Sequence, residues 1–207
     1  GIGTENIDIV MNELDALVNI DLQKKEIKSQ KTSLKLFRMG TCGSVNPDVE
    51  VDNMLVTQNV VGLDGLMNFY KDYQFENEFS RSFYQKFPYD KIKSMLYFSE
   101  WSEELGNLYK DAKYHGNTAT FPGFYAPQGR QLRLEATDEK FLETLNDLGI
   151  TNFEMETSAI YAFSKLLGHQ AITVNNVIAN RRRGEFSKDH HASEQNLIEW
   201  VLERVVK

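Results

Sequence analysis

From Asp138 to the end, the chain alternates between helix and strand signals, and that order points to a layered fold. An apolar-periodic helix over Asp138–Leu148 leads through a short connection, Gly149–Glu154, into a helix over Thr157–Leu167 that Gly168 halts at the C-cap position. Strand signals follow at Ala171–Val174 and Val177–Ala179. An amphipathic helix over Ala192–Val206 then puts Leu197, Trp200, Val201 and Val205 on one face. Elements in this order bury their apolar faces by stacking helices on a sheet, which predicts an α/β domain. With 207 residues, 41% of them hydrophobic, the chain can fill one substantial core. Without an internal repeat or interdomain linker, residues 1–207 read as a single domain.

The first half fits this frame less evenly. Thr4 is placed to cap a helix over Glu5–Val18 in which Ile7, Val10, Met11, Leu14, Leu17 and Val18 recur at helical spacing. A polar linker precedes a short strand, Ser33–Met39, which is expected to stop at the small-residue turn Gly40-Thr41-Cys42-Gly43-Ser44. The β-branched run Asn53–Val61 predicts a second strand. Polar and aromatic residues mix without a clear period across Leu66–Lys113, apart from a helix expected over Ser99–Asp111. Gly116–Arg130 reads as a strand running into a loop, too rich in Gly and Pro to be helical.

Several function classes are excluded early. A net charge of −7 gives no general footprint for nucleic acid. One cysteine cannot close an intramolecular disulfide, which suits a reducing cytoplasm. No stretch has the length of a transmembrane span, and Gly1-Ile2-Gly3-Thr4-Glu5-Asn6 lacks the regions of a signal peptide. His190-His191 are adjacent rather than one helical turn apart, and no metal is expected. Arg181-Arg182-Arg183 reads as a solvated or ion-paired turn, and Cys42 as a small packing residue without a nearby base. Gly1-Ile2-Gly3 lacks the rest of a dinucleotide fingerprint.

Three constellations carry possible chemistry, each with a plain structural alternative. Phe37-Arg38-Met39-Gly40-Thr41-Cys42-Gly43 gathers a guanidinium, a hydroxyl and close-approach backbone, either as an oxyanion site or as a surface ion pair beside a turn. Phe124, Gln128 and Arg130 can converge on a flat polar ring, the amide matching a lactam edge and the guanidinium meeting charge on a carbonyl oxygen. The alternative is a loop with one buried aromatic anchor and two solvated polar side chains. Glu154-Met155-Glu156 precedes a helix, where carboxylates serve as caps, or where one of them accepts hydrogens from a cis-diol while Met packs on the sugar.

In order, Gly1-Ile2-Gly3, Phe37–Gly43, Phe124-Tyr125-Ala126-Pro127-Gln128-Gly129-Arg130, Phe153-Glu154-Met155-Glu156 and Val177-Ile178-Ala179-Asn180-Arg181 resemble the type I nucleoside phosphorylase family, most closely its uridine phosphorylase branch. The resemblance implies a three-layer α/β/α fold around a central mixed sheet. It implies that Arg38 and Thr41 hold phosphate, and that Thr41, Met155 and Glu156 hold the ribose. Cys42, Gly43, Phe124, Gln128, Arg130, Ile178, Ala179 and Arg181 would surround the base, with Arg38, Gln128, Arg130 and Glu156 catalytic. The implied reaction turns uridine and phosphate into uracil and ribose 1-phosphate, with inorganic phosphate as co-substrate and no cofactor. It also implies a cytoplasmic homo-oligomer, a dimer or a hexamer built from dimers, without nucleic acid or membrane partners. The family's N-terminal strand and its Gly-Asp-Pro-x-Arg type phosphate loop have no match, so N-terminal strands are expected to be missing and activity impaired. Nucleosidase, purine phosphorylase and non-catalytic nucleoside-binding readings stay open. The absence of Asp from Val174–Asn180 weighs against purines.

Overall fold

The structure, a computed structural model, describes residues 2–206, so Gly1 of the expected Gly1-Ile2-Gly3 block lies outside the described residues. Helix α1 (Thr4–Asn19) starts one residue before the predicted span. Thr4 does not cap it: Gly3 holds that position, without a side-chain cap, and Thr4 is buried inside the first turn. The expected apolar face also splits, since Met11 is buried while Val10, Leu14 and Leu17 are exposed. The polar linker forms a small hairpin, β1 (Ile20–Asp21) with β2 (Glu26–Ile27), whose one apolar pair, Ile20 with Ile27, is too brief to signal a strand in the sequence.

Strand β3 runs over Lys35–Ser44, straight through the segment expected to be a turn. The residues there are small because neighbours occupy the space a side chain would take. A Cβ on Gly40 would lie 2.4 Å from the Arg38 guanidinium, and one on Gly43 would lie 2.6 Å from the Phe153 ring. Strand β4 (Met54–Gly62) matches its prediction within one residue at each end. The illegible middle holds α2 (Glu78–Lys86), the single turn α3 (Asp90–Lys93), β5 (Tyr97–Glu100) and the short α4 (Glu103–Gly106). The helix expected over Ser99–Asp111 is therefore corrected, because Ser99 lies in β5, whose backbone pairs with β4. Asn77 starts α2 with a reciprocal capping box involving Ser80, a signal that a Ser at the third helical position conceals.

Strand β6 (Tyr114–Thr120) runs into the Gly/Pro loop as expected, and α5 (Phe141–Asp147) is shorter than predicted. The connection after it contains β7 (Asn152–Glu154). Helix α6 (Thr157–Leu167) has the predicted bounds, and Gly168 adopts the left-handed conformation that ends it. The two strand signals after it form one strand, β8 (Gln170–Asn180), followed by β9 (Glu185–Phe186) and α7 (His190–Val205).

The central sheet is mixed, in the order β5-β4-β6-β7-β3-β8-β9. β8 also pairs antiparallel with the start of β4, so pairing closes a circuit through β3, β8, β4, β6 and β7. Helix α6 is buried along most of its length, with Ala159, Ala162 and Phe163 packed near Met11 of α1. Phe83, Phe87, Phe121, Leu145 and Phe153 form another apolar cluster, and Tyr109, Ile172, Leu197 and Val201 seat α7. This packing fixes β3, β7 and the start of α6 against one another, where the polar residues gather. Among the described residues, no helix is long and apolar enough to cross a membrane.

Candidate active site

A cavity of about 820 Å³ opens beside β3, and every sequence-assigned site residue except Arg181 lines it. β3 contributes Arg38, Thr41, Cys42 and Gly43; the Gly/Pro loop contributes Phe124, Gln128 and Arg130; the β7–α6 junction contributes Met155 and Glu156. Ile178 and Ala179 complete the wall from β8. The parallel ladder pairs Cys42 with Val177 and Gly43 with Ala179, so Ile178 is the extra residue of a bulge. A bulge re-aims a side chain without interrupting the sheet. A second depression, of about 660 Å³, is lined by Tyr73, Phe75, Arg81 and Tyr97 among others, and contains none of the assigned residues.

In the cavity wall Arg38 lies between two carboxylates. Its Nη2 donates to Glu156 Oε2 at 2.5 Å and lies 3.2 Å from Glu154 Oε2, while Nη1 donates to Asn175 Oδ1 at 2.6 Å. Burial opposes the guanidinium's charge, but Glu154 and Glu156 outweigh it and raise its pKa above the usual value. The side chain is only 14% exposed, so this is no loose surface ion pair. Thr41 is half-buried nearby. Burial pushes the Cys42 thiol up to about 12, so it is part of the wall and not a thiolate nucleophile.

The two glutamates have separate tasks. Glu154 is 2% exposed and accepts from Thr120 Oγ1 (2.6 Å), from the backbone N–H groups of Glu156 and Thr157 (both 2.9 Å), and from Thr157 Oγ1 (2.8 Å). It therefore satisfies the first N–H groups of α6, a capping role worth about 1 kcal/mol in typical helices. Glu156 occupies the N-cap position itself but makes no side-chain cap. Its Oε2 meets Arg38 and its Oε1 accepts from the Gly3 N–H at 2.8 Å. The capping reading of this motif thus holds on Glu154, while Glu156 faces Arg38 and the Gly3 N–H.

On the Gly/Pro loop Phe124, Gln128 and Arg130 converge. Arg130 Nη1 donates to Gln128 Oε1 (2.5 Å) and to the Phe124 carbonyl (2.8 Å), and its guanidinium lies 3.7 Å from the Phe124 ring centre. The bland alternative is inverted here: Gln128 is 3% exposed and the aromatic residue 50%. Arg181 stands outside the cavity wall, with buried Nε and Nη2 that have no hydrogen-bond partner. Desolvation and the charge of Arg181 bring the Arg130 pKa down to about 10. Among the described residues no carboxylate pairs with either arginine, whereas Arg182 pairs with Glu143 and Arg183 with Glu185. Only Arg181 departs from the expectation of a solvated arginine turn.

The sequence offers Glu154 its capping role but not its place beside Arg38, and it misses Asn175 and the Gly3 N–H altogether. Asn175 had no signal, because its contact with Arg38 depends on the pairing of β3 and β8.

A family model described as Phosphorylase superfamily matches residues 1–207. The uridine phosphorylase of Thermococcus kodakarensis is 27% identical over 156 residues, covering 73% of this chain and 50% of that protein. The DeoD-type purine nucleoside phosphorylase of Oceanobacillus iheyensis is 26% identical over 215 residues, 100% of this chain and 74% of that protein. This chain thus spans half the length of the first relative and about three quarters of the second. The solved structure of a Trypanosoma brucei nucleoside phosphorylase, described as showing uridine phosphorylase activity, superposes with a TM-score of 0.85 at 27% identity. That match covers 100% of this chain and 78% of the other.

Proposed function

The chain belongs to the phosphorylase superfamily, and from that premise we propose that its cavity binds uridine and inorganic phosphate and transfers the ribosyl group from uracil to phosphate. A phosphate oxygen forms the new bond to C1′ as the glycosidic bond breaks, and uracil leaves with the electron pair. Arg38 and Thr41 hold the phosphate, Glu156 accepts the ribose hydroxyl hydrogens, and Met155 packs on the sugar. Gln128 meets the lactam edge of the base. Arg130 faces the negative charge that spreads onto the departing uracil, an interaction stronger in the transition state than in the ground state.

The observation that carries this reading is the charge arrangement along one cavity. A carboxylate able to take a diol lies beside Arg38, and Arg130, which among the described residues has no carboxylate partner, lies against Gln128 on the loop. The assignment needs no cofactor. It places the partner surface of a homo-oligomer on the exposed stripe Val10, Leu14 and Leu17 of α1 and on the exposed Phe69.

The purine reading is favoured by the alignment of the DeoD-type relative over the whole chain. Against it, Val174–Asn180 contains no Asp, and two of its asparagines are committed elsewhere, Asn176 to Ser193 and Asn180 to the carbonyls of Asn46 and Val49. Steady-state kinetics on uridine, thymidine, inosine and adenosine at saturating phosphate separate the two. The expected result is a kcat/KM for uridine above that for inosine by on the order of 10²-fold or more, since a site built to hydrogen-bond one base edge discriminates strongly. Equal or higher values for inosine replace the pyrimidine assignment with a purine one.

A further inference from the structure

Glu156 is a site residue whose assigned task conflicts with its contacts. Oε2 is held by Arg38 at 2.5 Å and Oε1 by the Gly3 N–H at 2.8 Å. A phosphate that docks on Nη2 of Arg38 competes with Glu156 for that nitrogen, and the ribose diol assigned to Glu156 competes with the same nitrogen for the carboxylate. Either ligand alone breaks the Arg38–Glu156 pair and leaves one member without its charged partner in a site where both side chains are about 15% exposed or less. With both ligands bound, each member has a replacement.

The surroundings of the pair let it open without disturbing the site. Glu154 takes four donors apart from Arg38, so its position does not depend on the guanidinium. Arg38 in turn keeps Glu154 at 3.2 Å and Asn175 at 2.6 Å when Glu156 leaves it. Gly40 gives the guanidinium the room it needs over β3. Glu154 and Asn175 are thus the fixed partners of Arg38, and Glu156 is the exchangeable one.

We propose that Glu156 is an internal counter-ion that phosphate displaces from Arg38 and the ribose diol then captures, so that anion and nucleoside bind cooperatively. The proposal rests on the assignment of phosphate to Arg38 and ribose to Glu156. The energy of breaking the ion pair falls on whichever ligand binds first, and the second binds without it. By linkage each ligand strengthens the other by the same factor.

Isothermal titration of the full-length protein tests this without any substitution, using sulfate as a dianion that does not support turnover. Uridine is titrated in sulfate and in chloride at equal ionic strength, and 2′,3′-dideoxyuridine is titrated in parallel. The expected result is about 10-fold tighter uridine binding in sulfate, with no such gain for the dideoxy nucleoside, which has no diol for Glu156 to accept. Uridine affinity that is equal or weaker in sulfate overturns the proposal and leaves the nucleoside assignment standing. The same gain for both nucleosides also overturns it, because the coupling then bypasses Glu156. If uridine binds in neither buffer, or sulfate itself does not bind, the underlying site assignment falls and the proposal falls with it.

Discussion

Replacing Arg38 with Ala is expected to lower uridine turnover by about 10³-fold, at the upper end of what one charged donor contributes to a transition state. The loss combines two effects. The guanidinium assigned to the phosphate disappears, so the nucleophile is no longer fixed below C1′, and errors of about 1 Å in such positioning cost on the order of 10² in rate. Glu154 and Glu156 are also left on the site without the cation between them. The signature is a fall in kcat with a rise in KM for phosphate, while uridine binding in phosphate-free buffer persists because Glu156 is released to the diol. Circular dichroism and a thermal melt establish that the variant is folded, which the separate anchoring of Glu154 by Thr120 and Thr157 favours. Turnover within a few-fold of the parent protein would remove Arg38 from the phosphate site.

Replacing Arg130 with Ala is expected to lower kcat by on the order of 10²-fold with a smaller change in uridine affinity. With a pKa near 10 the guanidinium remains charged at neutral pH, and among the described residues no carboxylate neutralises it, so its charge is available to the leaving base. Truncation also frees Gln128 Oε1 and uncovers the Phe124 ring, both of which Arg130 organises. Arg130→Lys should recover little, because an ammonium cannot stack flat on the ring while donating to two acceptors. Unchanged kcat with weaker uridine binding would make Arg130 a ground-state contact.

The parts of this molecule that the sequence reveals are those determined by neighbours along the chain. Helix α6 shows its end through Gly168, and β4 its extent through its β-branched run. The Phe124–Arg130 loop was legible for the same reason: three side chains within seven residues of a punctuated segment have few places to go. What stayed hidden depends on residues far apart. Gly40 and Gly43 suggest a turn until Arg38 and Phe153 are seen filling the space above them. Ser99 and Glu100 read as the start of a helix until β4 offers its edge. The apolar period of α1 predicts a buried face, yet Leu17 is 64% exposed, since only the Ile7 and Met11 side of the helix meets α6 and its neighbours. The resemblance already singled out Glu156 of the carboxylate motif, whereas fixing Glu154 as the cap required the contacts of Thr120 and Thr157.

Product analysis of the full-length protein acting on uridine, with and without inorganic phosphate, tests the assignment of Arg38 and Glu156 to a phosphorolytic site most directly. One ribose 1-phosphate per uracil when phosphate is present, and no uracil when it is absent, is the expected result. Uracil released at the same rate in phosphate-free buffer, together with free ribose, would contradict it and make water the nucleophile.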